Sequence, residues 1–256
     1  MRRADVTKEP LGVLILHGFT ASLDCVREVA SAVKPLGLPT RMPVLRGHGA
    51  ESPEALRDVS WRDWVADGEA ALRELLSEAE QAVVFGHSMG GLVALNLAAD
   101  HGNVIDSVAV AAAAVQLASP LAPGRPLHTL APLIARLLGR IDMPPVYSDP
   151  SLAQRDTNYA WAPGDAVLSL LAFSQRTRRR LSEVKVPTLI LQSRNDSTVA
   201  PESAQLIYDG IATPPSEKQI VWFDETEHEM FRDCEREAAS AAVASWVRGR
   251  REEHRP

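Results

Sequence analysis

The sequence has 256 residues, of which 45% are hydrophobic and 23% are charged. These ordinary fractions exclude a disordered or fibrous protein, and the length allows one large domain or two small ones. A formal net charge of -6 argues against a nucleic-acid-binding protein, because such proteins depend on a basic face.

The cysteines and the N-terminus indicate where the protein resides. Cys25 and Cys234 are too few and too far apart for a disulfide framework or a metal site, which favours reduced thiols. Residues 1–10 contain two arginines but no apolar stretch, so no signal peptide is predicted. No apolar run approaches the ~18 residues of a membrane span. We therefore expect a cytoplasmic protein without stable membrane insertion; the oligomeric state is left open.

Short apolar runs alternate with longer helical patterns, which is typical of an α/β protein with a mainly parallel sheet. A helix is predicted at 61–76, because apolar residues recur there with helical spacing and Ser60 and Asp63 are spaced as a capping box at its start. Other helices are predicted at 22–34, 201–211 and 236–247, and one follows Gly91 and ends at about 100. Strands are predicted at 11–16, 40–45, 82–85, 104–112, 186–192 and 219–223.

Residues 116–180 interrupt this alternation. No β-branched strand run occurs there, whereas eight of the 18 prolines do. Apolar stretches at 127–138 and 166–173 indicate an inserted helical segment rather than a linker. The four arginines within 176–180 are interpreted as a solvated face. The expected organisation is an α/β core formed by residues 1–115 and 181–256, with an insertion at 116–180.

Ser88 is the candidate nucleophile, because residues 86–90 carry the pattern Gly-x-Ser-x-Gly. The pattern alone is weak, but here an aliphatic strand ends and a helix begins, which is the setting that this turn requires. The turn holds the serine in a strained backbone conformation, and glycine at 86 and 90 leaves room for close strand–helix packing. The dipole of the helix that follows favours the negative charge that develops in acyl transfer.

A serine nucleophile needs a base and an acid that orients the base, in the chain order serine, acid, histidine. Asp196 follows the strand that ends at 192, and His228 follows the strand at 219–223. Ligands bind outside the carboxyl ends of such strands, so three strand ends supply three complementary groups. The neighbours of His228 in sequence remain alternative acids: Asp224, Glu225, Glu227 and Glu229. The other histidines are expected in structural or exposed positions: His17, His48, His87, His101, His128 and His254.

The oxyanion of acyl transfer requires backbone donors. One is predicted to be the N–H of Met89, immediately after the nucleophile, and the other the N–H of Phe19, in the loop after the first strand. An ordinary strand-exit turn remains the alternative interpretation of that loop.

Motifs along nearly the whole chain carry a resemblance to a known family. They are His17-Gly-Phe-Thr20, Leu45-Arg-Gly-His-Gly49, Asp63-Trp64, Gly86-His-Ser-Met-Gly-Gly91, Arg194-Asn-Asp196, Pro201-Glu-Ser-Ala204 and Glu227-His228. By these motifs the chain resembles the small bacterial carboxylesterases and monoacylglycerol lipases of the α/β-hydrolase fold. The resemblance implies that Ser88, Asp196 and His228 form the triad, with Phe19 and Met89 as oxyanion donors, and that residues 116–180 form a cap over an acyl pocket. The chain departs from the family in this insertion and in Glu229-Met230, which is more polar than the expected aliphatic pair.

The expected function is hydrolysis of short- to medium-chain acyl esters through an acyl-enzyme, with monoacylglycerols among the candidate substrates. The partner is thus a small-molecule acyl ester, and no metal or organic cofactor is expected. Trp161, Leu168, Leu171 and Phe173 are candidate contacts of the acyl chain, although helical spacing also suits a plain core. Two alternatives remain: another serine hydrolase of the same fold (thioesterase, amidase or carbon–carbon hydrolase) and a non-catalytic binding protein. Ser88 at the turn excludes the aspartate nucleophile of dehalogenases and epoxide hydrolases.

Overall fold

A computed structural model describes residues 8–254, which contain eight strands and seven α-helices. The strands are β1 (Glu9–Leu16), β2 (Thr40–Arg41), β3 (Ala79–His87), β4 (Ile105–Ala111), β5 (Arg140–Asp142), β6 (Trp161–Pro163), β7 (Thr188–Ser193) and β8 (Lys218–Phe223). The helices are α1 (Arg27–Val33), α2 (Trp61–Leu75), α3 (Met89–His101), α4 (Ala131–Leu138), α5 (Gly164–Arg180), α6 (Glu202–Gly210) and α7 (Arg236–Glu253).

Six of the strands form one sheet in the order β2-β1-β3-β4-β7-β8, and every neighbouring pair is parallel. Strands β4 and β7 are buried along their whole length, as expected for a parallel sheet that is covered on both faces. The predicted α/β fold with a mainly parallel sheet is confirmed.

Helices pack against both faces of the sheet. Successive side chains of a strand point to opposite faces, so one strand can contribute apolar residues to two separate cores. In β1, Leu14 and Leu16 belong to the core on the side of α2, α3 and α6. Val13 and Ile15 belong to the core on the side of α1 and α7. Since the strands are parallel, their carboxyl ends share one edge, and the loops after β1, β3, β7 and β8 meet there.

Several bounds differ from the sequence prediction; in the segment predicted as a helix at 22–34, a 3₁₀ turn at Leu23–Val26 comes first and α1 begins only at Arg27. Strand β2 ends at Arg41 instead of 45; Pro43 lacks an N–H for a sheet hydrogen bond. Between β4 and β7 the chain forms the predicted helices α4 and α5, but also a two-stranded antiparallel sheet in which Ile141 pairs with Ala162. The sequence predicted the helices of this insertion but not the two strands, since each strand has only three residues and is too short to show a periodicity.

The described residues, 8–254, contain no helix long and apolar enough to cross a membrane. Residues 1–7, which form most of the segment where no signal peptide is predicted, lie outside the described residues.

Candidate active site

Ser88 lies at the turn from β3 into α3, with φ 54° and ψ -113°. A non-glycine residue with positive φ is strained, and the surrounding structure must compensate for it. The two flanking glycines make the turn possible: a Cβ on Gly86 would lie 2.2 Å from the carbonyl oxygen of Gly90, and one on Gly90 would lie 2.3 Å from that of Leu16. The predicted close packing of strand and helix is thus present around the candidate nucleophile.

Three side chains from three loops form one hydrogen-bonded chain at the edge of the sheet. Nε2 of His228 lies 3.1 Å from Oγ of Ser88, and Nδ1 of His228 lies 2.9 Å from Oδ2 of Asp196. All three residues are buried, at 8%, 8% and 4% relative exposure for Ser88, His228 and Asp196. The structure therefore brings together the three residues that the sequence singled out, at distances that permit proton transfer from the hydroxyl to the imidazole.

The carboxylate of Asp196 is held by its own loop. Oδ1 accepts the backbone N–H groups of Thr198, at 2.9 Å, and of Val199, at 2.8 Å. Gln192 donates to Oδ2 from Nε2 at 3.3 Å. These donors hold the carboxylate with Oδ2 within hydrogen-bond distance of the imidazole.

The alternative acids do not contact Nδ1 of His228 in this structure. Asp224 and Glu225 are exposed. The carboxylate of Glu227 accepts hydrogen bonds from the backbone N–H and the hydroxyl of Ser197. Glu227 thus joins the loop after β8 to the loop that carries the aspartate.

Burial and charge act in opposite directions on this pair. Burial alone would lower the pKa of His228, but the adjacent Asp196 carboxylate outweighs it, and the pKa of His228 is raised above its ordinary value of 6.5. Burial alone would raise the pKa of Asp196, yet the histidine and the backbone N–H groups hold it below its ordinary value of 3.8. Asp196 is therefore ionised at neutral pH and stabilises a positive charge on the imidazole.

Within residues 8–254, the backbone N–H groups of Phe19 and Met89 have no hydrogen-bond partner, and Phe19 lines the cavity beside Ser88. Phe19 belongs to the loop after β1, and Met89 is the first residue of α3. Unsatisfied N–H groups at the first turn of a helix favour an anionic oxygen. Both predicted oxyanion donors thus have the hydrogen-bonding capacity that the prediction requires.

Two buried histidines support the loop that carries Phe19. The backbone N–H of Thr20, which has a φ of 61°, donates to Nε2 of His48 at 3.1 Å. The backbone N–H of Leu45 donates to Nε2 of His17 at 3.0 Å. Burial lowers the pKa of His17 to about 4 and that of His48 to about 3, so both rings are neutral and can accept these bonds. The sequence predicted structural or exposed positions for them, but not their connection to this loop.

A cavity of about 390 Å³ opens beside the serine and falls in the size range of small-molecule sites. Its walls include Ser88 and His228 and an aliphatic part formed by α4 and α5. The aliphatic residues from these helices are Ala131, Ala135, Val167, Leu168, Leu170 and Leu171. Leu168 and Leu171 were expected there. Trp161 and Phe173 do not line the cavity: Phe173 is buried against Trp61, and Trp161 packs beneath the guanidinium of Arg140.

One part of the cavity wall is polar and was not predicted from the sequence. Glu229 and Asn158 line it, and Nδ2 of Asn158 donates to Oε1 of Glu229 at 2.9 Å. The only signal in the sequence was the acidic residue after His228, and nothing local indicated that it would be buried. Within residues 8–254, no group of three or more histidine, cysteine, aspartate or glutamate side chains is arranged to hold a metal ion.

A serine, a histidine and an aspartate at the carboxyl edge of a parallel sheet, with the serine on a strand–turn–helix, define the α/β-hydrolase class. A family profile described as "Serine aminopeptidase, S33" matches residues 9–235. The chain belongs to this family.

Curated relatives match over most of their length. The chain is 30% identical over 214 residues to a thermostable monoacylglycerol lipase from Bacillus sp. (strain H-257), covering 83% of this chain and 80% of that protein. It is 25% identical over 236 residues to a carboxylesterase from Bacillus subtilis (strain 168), covering 92% and 91%.

Solved structures show the same fold. One, described as LipS and LipT, two metagenome-derived lipolytic enzymes, superposes with a TM-score of 0.81 at 26% identity, covering 94% of this chain and 95% of that chain. The monoacylglycerol lipase from Paleococcus ferrophilus has a TM-score of 0.77 at 20% identity, covering 95% and 96%.

Proposed function

We propose that the protein hydrolyses carboxylic esters with short to medium acyl chains, monoacylglycerols among them, through an acyl-enzyme on Ser88. The observation that carries the proposal is the hydrogen-bonded chain from Asp196 through His228 to the serine, which ends beside a largely aliphatic cavity. The protein is a carboxylic-ester hydrolase, as its relatives are lipases and esterases.

Acylation begins when Ser88 Oγ attacks the ester carbonyl while Nε2 of His228 accepts the hydroxyl proton. The charged imidazole is stabilised by Asp196, at 2.9 Å from Nδ1. The oxyanion that forms accepts hydrogen bonds from the N–H groups of Phe19 and Met89. His228 then donates its proton to the leaving alcohol, and the acyl group remains on the serine.

Deacylation repeats these steps with water as the nucleophile. His228 removes a proton from water, which attacks the acyl carbonyl, and the same two N–H groups stabilise the second oxyanion. The imidazolium returns its proton to Ser88 Oγ as the carboxylic acid leaves.

The acyl chain is proposed to lie along the aliphatic wall formed by α4 and α5. We assign residues 116–180 the role of a cap over this pocket and residues 1–115 and 181–256 the role of the hydrolase core. The volume of about 390 Å³ favours acyl chains of short to medium length. A cytoplasmic location is part of the proposal, supported by two cysteines that are not joined in a disulfide, one of them exposed. The proposal involves no nucleic-acid partner, in keeping with the net charge of -6.

The proposal is tested with p-nitrophenyl esters of increasing acyl length and with the corresponding monoacylglycerols. We expect ester turnover by the native protein to peak at short to medium acyl chains. We expect Ser88→Ala to lose this turnover while its unfolding temperature stays unchanged. Turnover of thioesters or amides well above that of oxyesters would assign the protein to a different reaction, and retained ester hydrolysis in Ser88→Ala would refute the role of the serine.

A further inference from the structure

Glu229 is a buried acid that the proposed reaction does not use. It is 7% exposed, it lines the cavity beside His228, and Oε2 has no hydrogen-bond partner among residues 8–254. Buried carboxyl oxygens are paired in the great majority of proteins, because leaving one unpaired is unfavourable. An unpaired oxygen on a residue that lines a cavity indicates a ligand group that would pair with it.

The neighbours of Glu229 position the carboxyl but do not neutralise it. Asn158 donates to Oε1 at 2.9 Å. The nearby cation, Arg232, pairs instead with Asp156, whose other oxygen accepts the hydroxyl of Tyr147 at 2.9 Å. These contacts hold Asn158 as well, since its backbone N–H donates to Asp156 at 2.5 Å. Glu229 is thus held by an uncharged donor at one oxygen, while the other oxygen is buried and has no partner among residues 8–254.

The position of Glu229 indicates which part of an ester it would meet. In the proposed reaction His228 protonates the leaving alcohol, so the alcohol lies against this histidine. Glu229 is the next residue and lines the same cavity, whereas the walls from α4 and α5 are aliphatic and suit the acyl chain. Because Oε2 is itself buried, pairing with a ligand requires rotation about the terminal torsion of the side chain, which has a broad range in glutamate.

We propose that Glu229 is a specificity-determining residue that hydrogen-bonds a free hydroxyl on the alcohol part of the ester, and so selects polyol and glycol monoesters over simple alkyl esters. This inference rests on the proposed ester hydrolysis. Burial raises the pKa of Glu229, and either protonation state serves, since a hydroxyl donates to a carboxylate and accepts from a carboxylic acid.

The test compares two esters that differ only in this hydroxyl: hydroxyethyl butyrate and propyl butyrate. The native protein is expected to prefer the hydroxyethyl ester about tenfold in kcat/KM, the effect of about one net hydrogen bond. Glu229→Leu should abolish the preference, mainly through KM, and Glu229→Gln should retain most of it because the amide also donates and accepts. Using the ratio for the two esters cancels any effect of the substitution on the His228 base.

Glu225→Leu is the matched control, because it removes the same group from an exposed position in the same loop, and its preference should equal that of the native protein. Turnover of p-nitrophenyl butyrate and the unfolding temperature report whether each variant is folded and competent. Equal rates for the two esters in the native protein, or an unchanged ratio in Glu229→Leu, would overturn the role of Glu229. Failure of the native protein to hydrolyse any ester would instead refute the proposed function on which it rests.

Discussion

Replacing Asp196 by asparagine is expected to lower kcat about ten-thousandfold, because the change places the proton of the neutral His228 imidazole on Nε2 instead of Nδ1. Oδ1 of the native carboxylate accepts two backbone N–H groups, at 2.9 and 2.8 Å, and Oδ2 faces Nδ1 of the histidine at 2.9 Å. An asparagine has a single acceptor oxygen. The two backbone donors would retain it at the Oδ1 position, and the NH2 group would then face the histidine.

An NH2 donor at that position requires Nδ1 of His228 to be an acceptor. The proton of the neutral imidazole then resides on Nε2, which lies 3.1 Å from Ser88 Oγ and can no longer accept the serine proton. A ten-thousandfold loss corresponds to about 5.4 kcal/mol of transition-state stabilisation. KM should change little, since Asp196 does not line the cavity.

The assay is steady-state hydrolysis of p-nitrophenyl butyrate, with thermal unfolding as a check on the fold. Asp224→Asn is the matched control: it makes the same change at an exposed carboxylate, which pairs with Arg194 at 3.0 Å in the loop after β8. The control should keep native activity. A kcat for Asp196→Asn within about tenfold of native would refute the orienting role of this aspartate, since loss of such a group costs about 10⁴ in kcat.

Three further predictions concern the buried histidines. Because the pKa of His228 is raised, kcat/KM for a neutral ester should fall as the pH drops through a midpoint above 6.5, and a midpoint below 6.5 would contradict the stabilising effect of the adjacent carboxylate. Burial lowers the pKa of His17 to about 4 and those of His48 and His87 to about 3, so the unfolded chain binds protons that the folded chain excludes. Stability should therefore fall as the pH drops below 6.5, by about 2 kcal/mol for each of these groups at pH 5, offset in part by His228, and urea unfolding at pH 7 and pH 5 measures it. Replacing His48 by phenylalanine removes the acceptor of the Thr20 N–H and should lower kcat for p-nitrophenyl butyrate about tenfold, with partial recovery in His48→Gln; native kcat in the phenylalanine variant would exclude a role in holding the oxyanion loop.

The fold and the candidate triad could be predicted because their signals are local. An aliphatic strand, the glycines at 86 and 90 and the helix after them identify the turn at Ser88 without knowledge of the rest of the chain. Asp196 and His228 follow two further strands, and the topology of a parallel sheet brings such positions to one edge.

The features that escaped prediction depend on contacts between distant segments. The two strands β5 and β6 pair across about 20 residues, and with three residues each they are too short to show a periodicity of their own. Glu229 is buried, and the residue that donates a hydrogen bond to it, Asn158, is remote in sequence. An acidic residue in a loop is normally exposed, so only the assembled structure identifies this one as part of the cavity wall.

The most direct test of an acyl-enzyme on Ser88 is covalent labelling with a fluorophosphonate, followed by intact-mass measurement and peptide mapping. The expected result is one adduct per chain, located at Ser88, absent in Ser88→Ala and formed far more slowly in Asp196→Asn. An adduct on another residue, or equal labelling of the native protein and Ser88→Ala, would contradict the proposed nucleophile.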